Sequence, residues 1–170
     1  MGAPAAVTGS ISRAARQRLP FAVVAWVPSR DNRPGGKAFA PGDVLKMHSG
    51  LTVENLNSDA EGRLILADAL SYGERYDAEV VFTLATLTGA AMRAIGTQGT
   101  VTMGTASEKQ FAMLHAAADT TFERVAQMPF WEEYDEELKS DVADLKNIGG
   151  AMAGQITAGQ LLARFTTKQL

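Results

Sequence analysis

The chain has 170 residues, of which 46% are apolar and 21% are charged, and its net charge is −3. These values are typical of a globular domain with its own core and exclude a disordered chain. The net negative charge argues against a protein that binds nucleic acid through its phosphates. The sequence contains no cysteine, which excludes disulfides and thiolate metal sites, and no apolar run approaches the length of a membrane span.

The N-terminal half is predicted to begin with a helix and a buried strand. Residues 4–18 place apolar side chains at roughly helical spacing, and Pro20 prevents the helix from continuing. Residues 21–27 are an unbroken apolar run, which is typical of a central parallel strand covered on both faces. A loop at residues 29–41 then leads to a predicted hairpin, in which two short strands flank a turn at residues 48–50.

The C-terminal half continues with strands and helices. Residues 79–86 form a second apolar run, predicted to be a buried strand that turns sharply into a short helix. Residues 98–104 are a further candidate strand, and helices are predicted at residues 108–125 and 155–168. We therefore predict an α/β fold in three layers, with a mostly parallel mixed central sheet flanked by helices. Residues 1–170 are predicted to form a single domain.

One stretch with two carboxylates and a guanidinium lies where a predicted strand, residues 51–56, meets a predicted buried helix. This octapeptide is Asn57-Ser58-Asp59-Ala60-Glu61-Gly62-Arg63-Leu64. Ligands of open α/β sheets bind at such strand ends. In an extended chain Asp59, Glu61 and Arg63 share one face. The two carboxylates then suit a divalent cation such as manganese, magnesium or zinc, and Arg63 suits a small anion.

A purely structural role also explains these residues. Ser58 and Glu61 have the spacing of a capping box, in which the serine caps the helix and the glutamate bonds back to its backbone N–H. Arg63 would then be a solvated side chain. Because Glu61 cannot fully serve as both a cap and a metal ligand, the spacing alone leaves the two interpretations open.

The octapeptide resembles the signature of the leucyl aminopeptidase (cytosol aminopeptidase) family, whose usual second residue is threonine where this chain has Ser58. Other segments resemble further landmarks of the family, in the same order and spacing. They are residues 41–44, 49–54, 67–70, 85–90, 143–147 and 153–158. The resemblance covers nearly the whole chain and implies part of a zinc-exopeptidase-like catalytic domain.

The resemblance implies a metallopeptidase that removes N-terminal residues, preferably bulky and apolar ones such as leucine, from peptides by two-metal hydrolysis. Asp59 and Glu61 would bind the two divalent ions, manganese or zinc, with Glu61 bridging them. Arg63 would be catalytic by holding a bicarbonate ion. The further residues implied in binding substrate or bicarbonate are Gly62, Thr86, Leu87 and Gly89.

The resemblance also implies a cytoplasmic homo-oligomer, usually a hexamer, with peptides as substrates and neither membrane nor nucleic acid as partner. The family's upstream block supplies a metal-binding lysine, two aspartates and a catalytic lysine, and these 170 residues do not contain it. We therefore expect a truncated domain with an incomplete ligand set, which alone is poorly active. The alternative is a non-catalytic relative that keeps the fold for assembly or binding.

Overall fold

The computed structural model describes residues 2–31 and 33–170. Met1, in the predicted domain, and Asn32, in the predicted loop, lie outside the described residues. The helices are α1 (Gly2–Gln17), α2 (Glu61–Gly73), α3 (Gly89–Ile95), α4 (Glu108–Thr121) and α5 (Gly154–Ala163). The strands are β1 (Val44–Lys46), β2 (Thr52–Glu54), β3 (Thr100–Thr102), β4 (Val125–Gln127) and β5 (Leu145–Lys146). None of the described helices is long and apolar enough to cross a membrane.

The strands form two small sheets. In the first, β2 lies between β1, which is antiparallel to it, and β5, which is parallel. The register places Leu45 opposite Val53, and Gly50 in the connecting turn has a φ of 95°, so the predicted hairpin is confirmed. In the second sheet β3 and β4 run parallel, with Thr100 opposite Val125. Helices combined with mixed and parallel sheets confirm the α/β class.

The core lies between the first sheet and the helices α2 and α5. Leu64, Ala67 and Leu70 line one face of α2 at helical spacing and are buried. They belong to one apolar cluster with Val53 of β2 and Leu161 of α5, both of which are fully buried. This packing fixes the first turn of α2 against the end of β2, which is where the signature octapeptide lies.

The two long apolar runs do not form the predicted buried strands. Residues 21–27 are extended without strand pairing, and Phe21 is 63% exposed. Residues 79–86 make a single bridge, from Val80 to Gln169, and Phe82 is 69% exposed. A strand needs a neighbour for its backbone hydrogen bonds. Among residues 2–31 and 33–170 these runs find no neighbouring strand, so the prediction of two central strands is wrong for this chain.

All five predicted helices form, but two of them end early. The helix predicted at residues 108–125 ends at Thr121, because Phe122 adopts a left-handed conformation (φ 62°) that caps it. The helix predicted at residues 155–168 ends at Ala163. The helix predicted at residues 4–18 is confirmed as α1, although none of the α1 residues is buried.

The end of the chain is held to the end of α2 by Glu74. Its carboxylate accepts hydrogen bonds from the hydroxyls of Thr166 and Thr167, both at 2.6 Å, and from the Thr167 N–H at 2.9 Å. The hydrogen bond from Thr166, followed by those from Thr167, lowers the pKa of Glu74 below its ordinary value of 4.5. A lowered pKa in the folded state adds stability above the unfolded pKa, and this stability is lost as the pH falls through the folded pKa.

We predict that Glu74→Gln flattens the acid limb of the stability profile. The variant cannot gain a proton on unfolding, so its stability should fall less steeply than that of the wild type below about pH 4.5. Urea unfolding between neutral pH and the acid limb measures this, with the exposed Glu79→Gln as the control. Parallel profiles for wild type and Glu74→Gln would contradict the role given to this carboxylate.

Candidate active site

The octapeptide turns from the sheet into α2 through a short 3₁₀ turn at Ser58–Ala60. Asn57 caps this turn, because its side-chain oxygen accepts a hydrogen bond of 2.9 Å from the N–H of Asp59. Ala60 occupies the N-cap position of α2. The Ser58 hydroxyl instead accepts a hydrogen bond from Asn55. The predicted capping box of Ser58 and Glu61 is therefore wrong, and the Glu61 side chain does not cap the helix.

The predicted extended face is also wrong, but its three residues still meet. Asp59 lies in the 3₁₀ turn, whereas Glu61 and Arg63 lie in the first turn of α2. All three line one cavity of about 400 Å³. The cavity is bounded by α2, the start of α1 and parts of the two apolar runs at residues 21–27 and 79–86. A helical turn thus brings together residues that were expected to meet along a strand.

Arg63 is buried and is not the solvated side chain of the capping interpretation. Its Nη1 donates a hydrogen bond of 2.9 Å to the backbone carbonyl of Asn147. Its Nε is buried and finds no acceptor within the described part of the chain. Burial lowers the pKa of the guanidinium, yet arginine stays protonated in proteins. Arg63 lines the cavity, and a buried cation with a donor that is unpaired among the described residues is suited to bind a small anion.

Glu61 has a carboxylate oxygen that is suited to bind a cation. One carboxylate oxygen, Oε2, is buried and has no hydrogen-bond partner among the residues that the structure describes. Asp59 is exposed on the same cavity. Two carboxylates fit a hard divalent cation in chemistry. However, residues 2–31 and 33–170 contain no cluster of three or more metal-binding side chains. They fit one part of a two-metal centre, not the whole of it.

The segment before α3 forms the opposite wall. Thr86 and Leu87 line the cavity. A Cβ built on Gly62 would lie 3.5 Å from Leu87, so the first turn of α2 is in contact with this wall. Gly89 is the first residue of α3 and does not line the cavity. Six of the seven predicted site residues are therefore brought together.

Two residues at the site are given no role there by the sequence motifs, although Asn147 belongs to the landmark at residues 143–147. Trp26, predicted to lie in a buried strand, instead lines the cavity and packs its ring 5.2 Å from that of Tyr76. Asn147 is fully buried and contacts both Arg63 and the octapeptide. The partners of its side chain and Arg63 lie 84–92 residues away in the sequence, so local patterns carry no signal for its role.

Comparison with known proteins shows which family this chain resembles. The profile of the cytosol aminopeptidase family, catalytic domain, matches residues 1–170. A probable cytosol aminopeptidase of Haemophilus ducreyi is 49% identical over 99% of this chain and 34% of the relative. One from Geobacter sulfurreducens is 47% identical over the same shares. A mutant of tomato leucine aminopeptidase has a TM-score of 0.77 at 37% identity, over 81% of this chain and 27% of that one.

The fold and these matches define a peptidase catalytic domain of the α/β class. The chain belongs to the cytosol aminopeptidase family. It spans about a third of the length of the curated relatives that it matches. The activity, substrates and partners of a whole family member are therefore proposals for this chain.

Proposed function

We propose that residues 1–170 are part of one catalytic domain of an aminopeptidase, which releases N-terminal residues from peptides. The observation that carries this proposal is the meeting of Asp59, Glu61 and Arg63 at one cavity. The cavity also has apolar walls, including Trp26 and Phe82. Such walls favour a bulky apolar side chain, such as leucine, at the substrate's N-terminus.

In this proposal Asp59 and Glu61 are ligands of divalent metal ions, manganese or zinc. A bound metal would polarise the peptide carbonyl and lower the pKa of the attacking water. The buried Oε2 of Glu61 has no hydrogen-bond partner in the described part of the chain, which supports its role as a ligand, since a carboxylate is costly to bury without a partner. Because the described residues gather only two such ligands, this chain alone should bind metal weakly.

Arg63 is proposed to hold bicarbonate, with backbone N–H groups near Gly62 and Leu87 assisting. Its buried guanidinium is fixed by the Asn147 carbonyl, and its Nε has no acceptor among residues 2–31 and 33–170, which supports this role. Thr86, Leu87 and Gly89 are proposed to line the substrate site. Of these, Thr86 and Leu87 lie at the cavity, and Gly89 begins the neighbouring helix.

A second candidate function is assembly or binding without catalysis. The exposed apolar runs favour it, since Phe21 and Phe82 present large apolar surfaces that would be covered in an assembly. From the family resemblance we propose that the chain assembles as a hexamer in the cytoplasm. We propose neither nucleic acid nor a membrane as its partner. Retention of Asp59, Glu61 and Arg63 favours the peptidase.

Hydrolysis of leucine amide in the presence of manganese tests the proposed function. We expect slow turnover by the 170-residue chain that Asp59→Ala abolishes. Asp119→Ala removes an exposed carboxylate on α4 and is the matched control, which should keep the wild-type rate. Fast turnover unaffected by Asp59→Ala would contradict the proposed site. No turnover in any variant would favour the non-catalytic function.

A further inference from the structure

The parallel pairing of β5 with β2 places Asn147 beside the site. The register places Lys146 opposite Glu54, and the N–H of Asn147 donates a hydrogen bond of 2.9 Å to the Glu54 carbonyl. Asn147 therefore lies beside the point where the chain leaves β2 for the octapeptide. The residue is fully buried.

The side-chain amide of Asn147 uses its full hydrogen-bonding capacity at this point. Its oxygen accepts from the N–H groups of Leu56 at 2.8 Å and Asn57 at 3.3 Å. Its nitrogen donates to the side-chain oxygen of Asn55 at 2.9 Å and to the carbonyl of Asn57 at 2.8 Å. An amide can accept two and donate two hydrogen bonds, and here all four are made.

The same residue also fixes the cation of the site. The backbone carbonyl of Asn147 accepts the hydrogen bond from Arg63. Asn57, which the side chain of Asn147 holds, caps the turn that carries Asp59. Asn147 thus joins the turn with the first carboxylate to the helix with the guanidinium.

We propose that Asn147 is a positioning residue of the candidate active site. It holds the Asp59 turn and Arg63 in a fixed relation, so that the cation and anion positions are formed before ligands bind. This inference rests on the proposed function, because it assigns Asn147 a role toward the ligands proposed there. It concerns the support of the site, since Asn147 itself does not line the cavity.

The geometry requires an amide at this position. An aspartate of the same shape would keep the two hydrogen bonds that the Asn147 oxygen accepts. Its second oxygen would take the place of the amide nitrogen and would face the oxygens of Asn55 and Asn57, to which it cannot donate. Asn55 cannot reverse its own amide without loss, because its nitrogen donates to the Ala40 carbonyl at 2.9 Å and to Ser58 at 3.1 Å. Asn147→Asp therefore keeps the volume and removes the function of the amide.

The test compares Asn147→Asp with Leu114→Ala in the 170-residue chain. Leu114→Ala removes half-buried apolar packing on α4, a helix that does not line the cavity, and lowers stability away from the site. At a temperature where circular dichroism shows both variants folded, manganese affinity is measured by calorimetry. Amide hydrogen exchange is measured at Leu56 and Asp59, with the paired amides of the β1–β2 hairpin as internal references.

We expect Asn147→Asp to weaken manganese affinity about 10–100-fold, as loss of a supporting contact around metal ligands does. Exchange at Leu56 and Asp59 should rise, while the hairpin amides keep their protection. Leu114→Ala should keep the wild-type affinity. Equal affinity in wild type and Asn147→Asp, both folded, would overturn the inference.

The exchange measurement separates this inference from the proposed function. If the wild-type chain binds no manganese, the proposed metal site fails, and hydrogen exchange then decides the role of Asn147. Faster exchange confined to Leu56 and Asp59 in Asn147→Asp would support it as the residue that orders the turn. Unchanged exchange there would overturn it.

Discussion

Glu61→Gln is expected to weaken manganese binding by at least about 100-fold and to stabilise the metal-free chain. Removal of a group that supports a metal ligand weakens metal affinity about 10–100-fold. Glu61→Gln should weaken it by at least the upper value, because Glu61 is proposed as a ligand itself. The gain in stability is expected because the buried oxygen has no partner among the described residues, and a neutral amide costs less to bury unpaired than a charged carboxylate. Against this gain stands only about 0.3–1 kcal/mol that a carboxylate contributes in the first turn of a helix.

Glu108→Gln is the matched control for this prediction. Glu108 is the first residue of α4, as Glu61 is of α2, but it is exposed and far from the cavity. Its replacement should lower stability slightly and leave manganese binding unchanged. Calorimetry and urea unfolding of the metal-free chains measure both effects. If Glu61→Gln were as destabilising as Glu108→Gln, the oxygen would have a structural and not a ligand role.

Arg63→Met is expected to abolish the stabilisation of the chain by bicarbonate. A ligand that binds only the folded state at 100 times its Kd adds about 2.7 kcal/mol to the free energy of unfolding. The wild type should show this gain, and Arg63→Met should show none, because the neutral side chain removes the buried cation at the cavity. Thermal unfolding with sodium bicarbonate or sodium chloride at equal ionic strength measures the difference.

Arg75→Met provides the comparison for Arg63→Met. Arg75 is exposed, stacks on Tyr72 and donates to its carbonyl, so it is outside the cavity. The bicarbonate response should survive this change. Equal responses of the two variants would mean that bicarbonate acts on the whole surface and that Arg63 does not hold it.

The helices and the hairpin were predictable because their signals are local. The spacing of Leu64, Ala67 and Leu70 predicts the buried face of α2, and Gly50 predicts the hairpin turn. The predicted strands at residues 21–27 and 79–86 did not form. An apolar run indicates burial, but it does not specify which strand will pair with it. Their neighbours must come from distant sequence, and the described residues supply only the bridge from Val80 to Gln169.

The candidate site was predictable from its motif more than from its local geometry. The octapeptide identifies Asp59, Glu61 and Arg63, which do line one cavity. Both local interpretations failed, because Asn57 caps the turn in place of Ser58 and the chain is helical where an extended face was expected. Asn147 lies in the landmark at residues 143–147, but its role was not predicted, because tertiary folding alone brings it to this site.

Titration of the 170-residue chain with manganese by calorimetry tests the central claim most directly. We predict weak binding by the wild type, because Asp59 and Glu61 are the two carboxylates at the cavity. We predict no binding by Asp59→Ala. The exposed Asp119→Ala should bind like the wild type. Binding that Asp59→Ala leaves unchanged, or no binding by the wild type, would contradict a metal site at the start of α2.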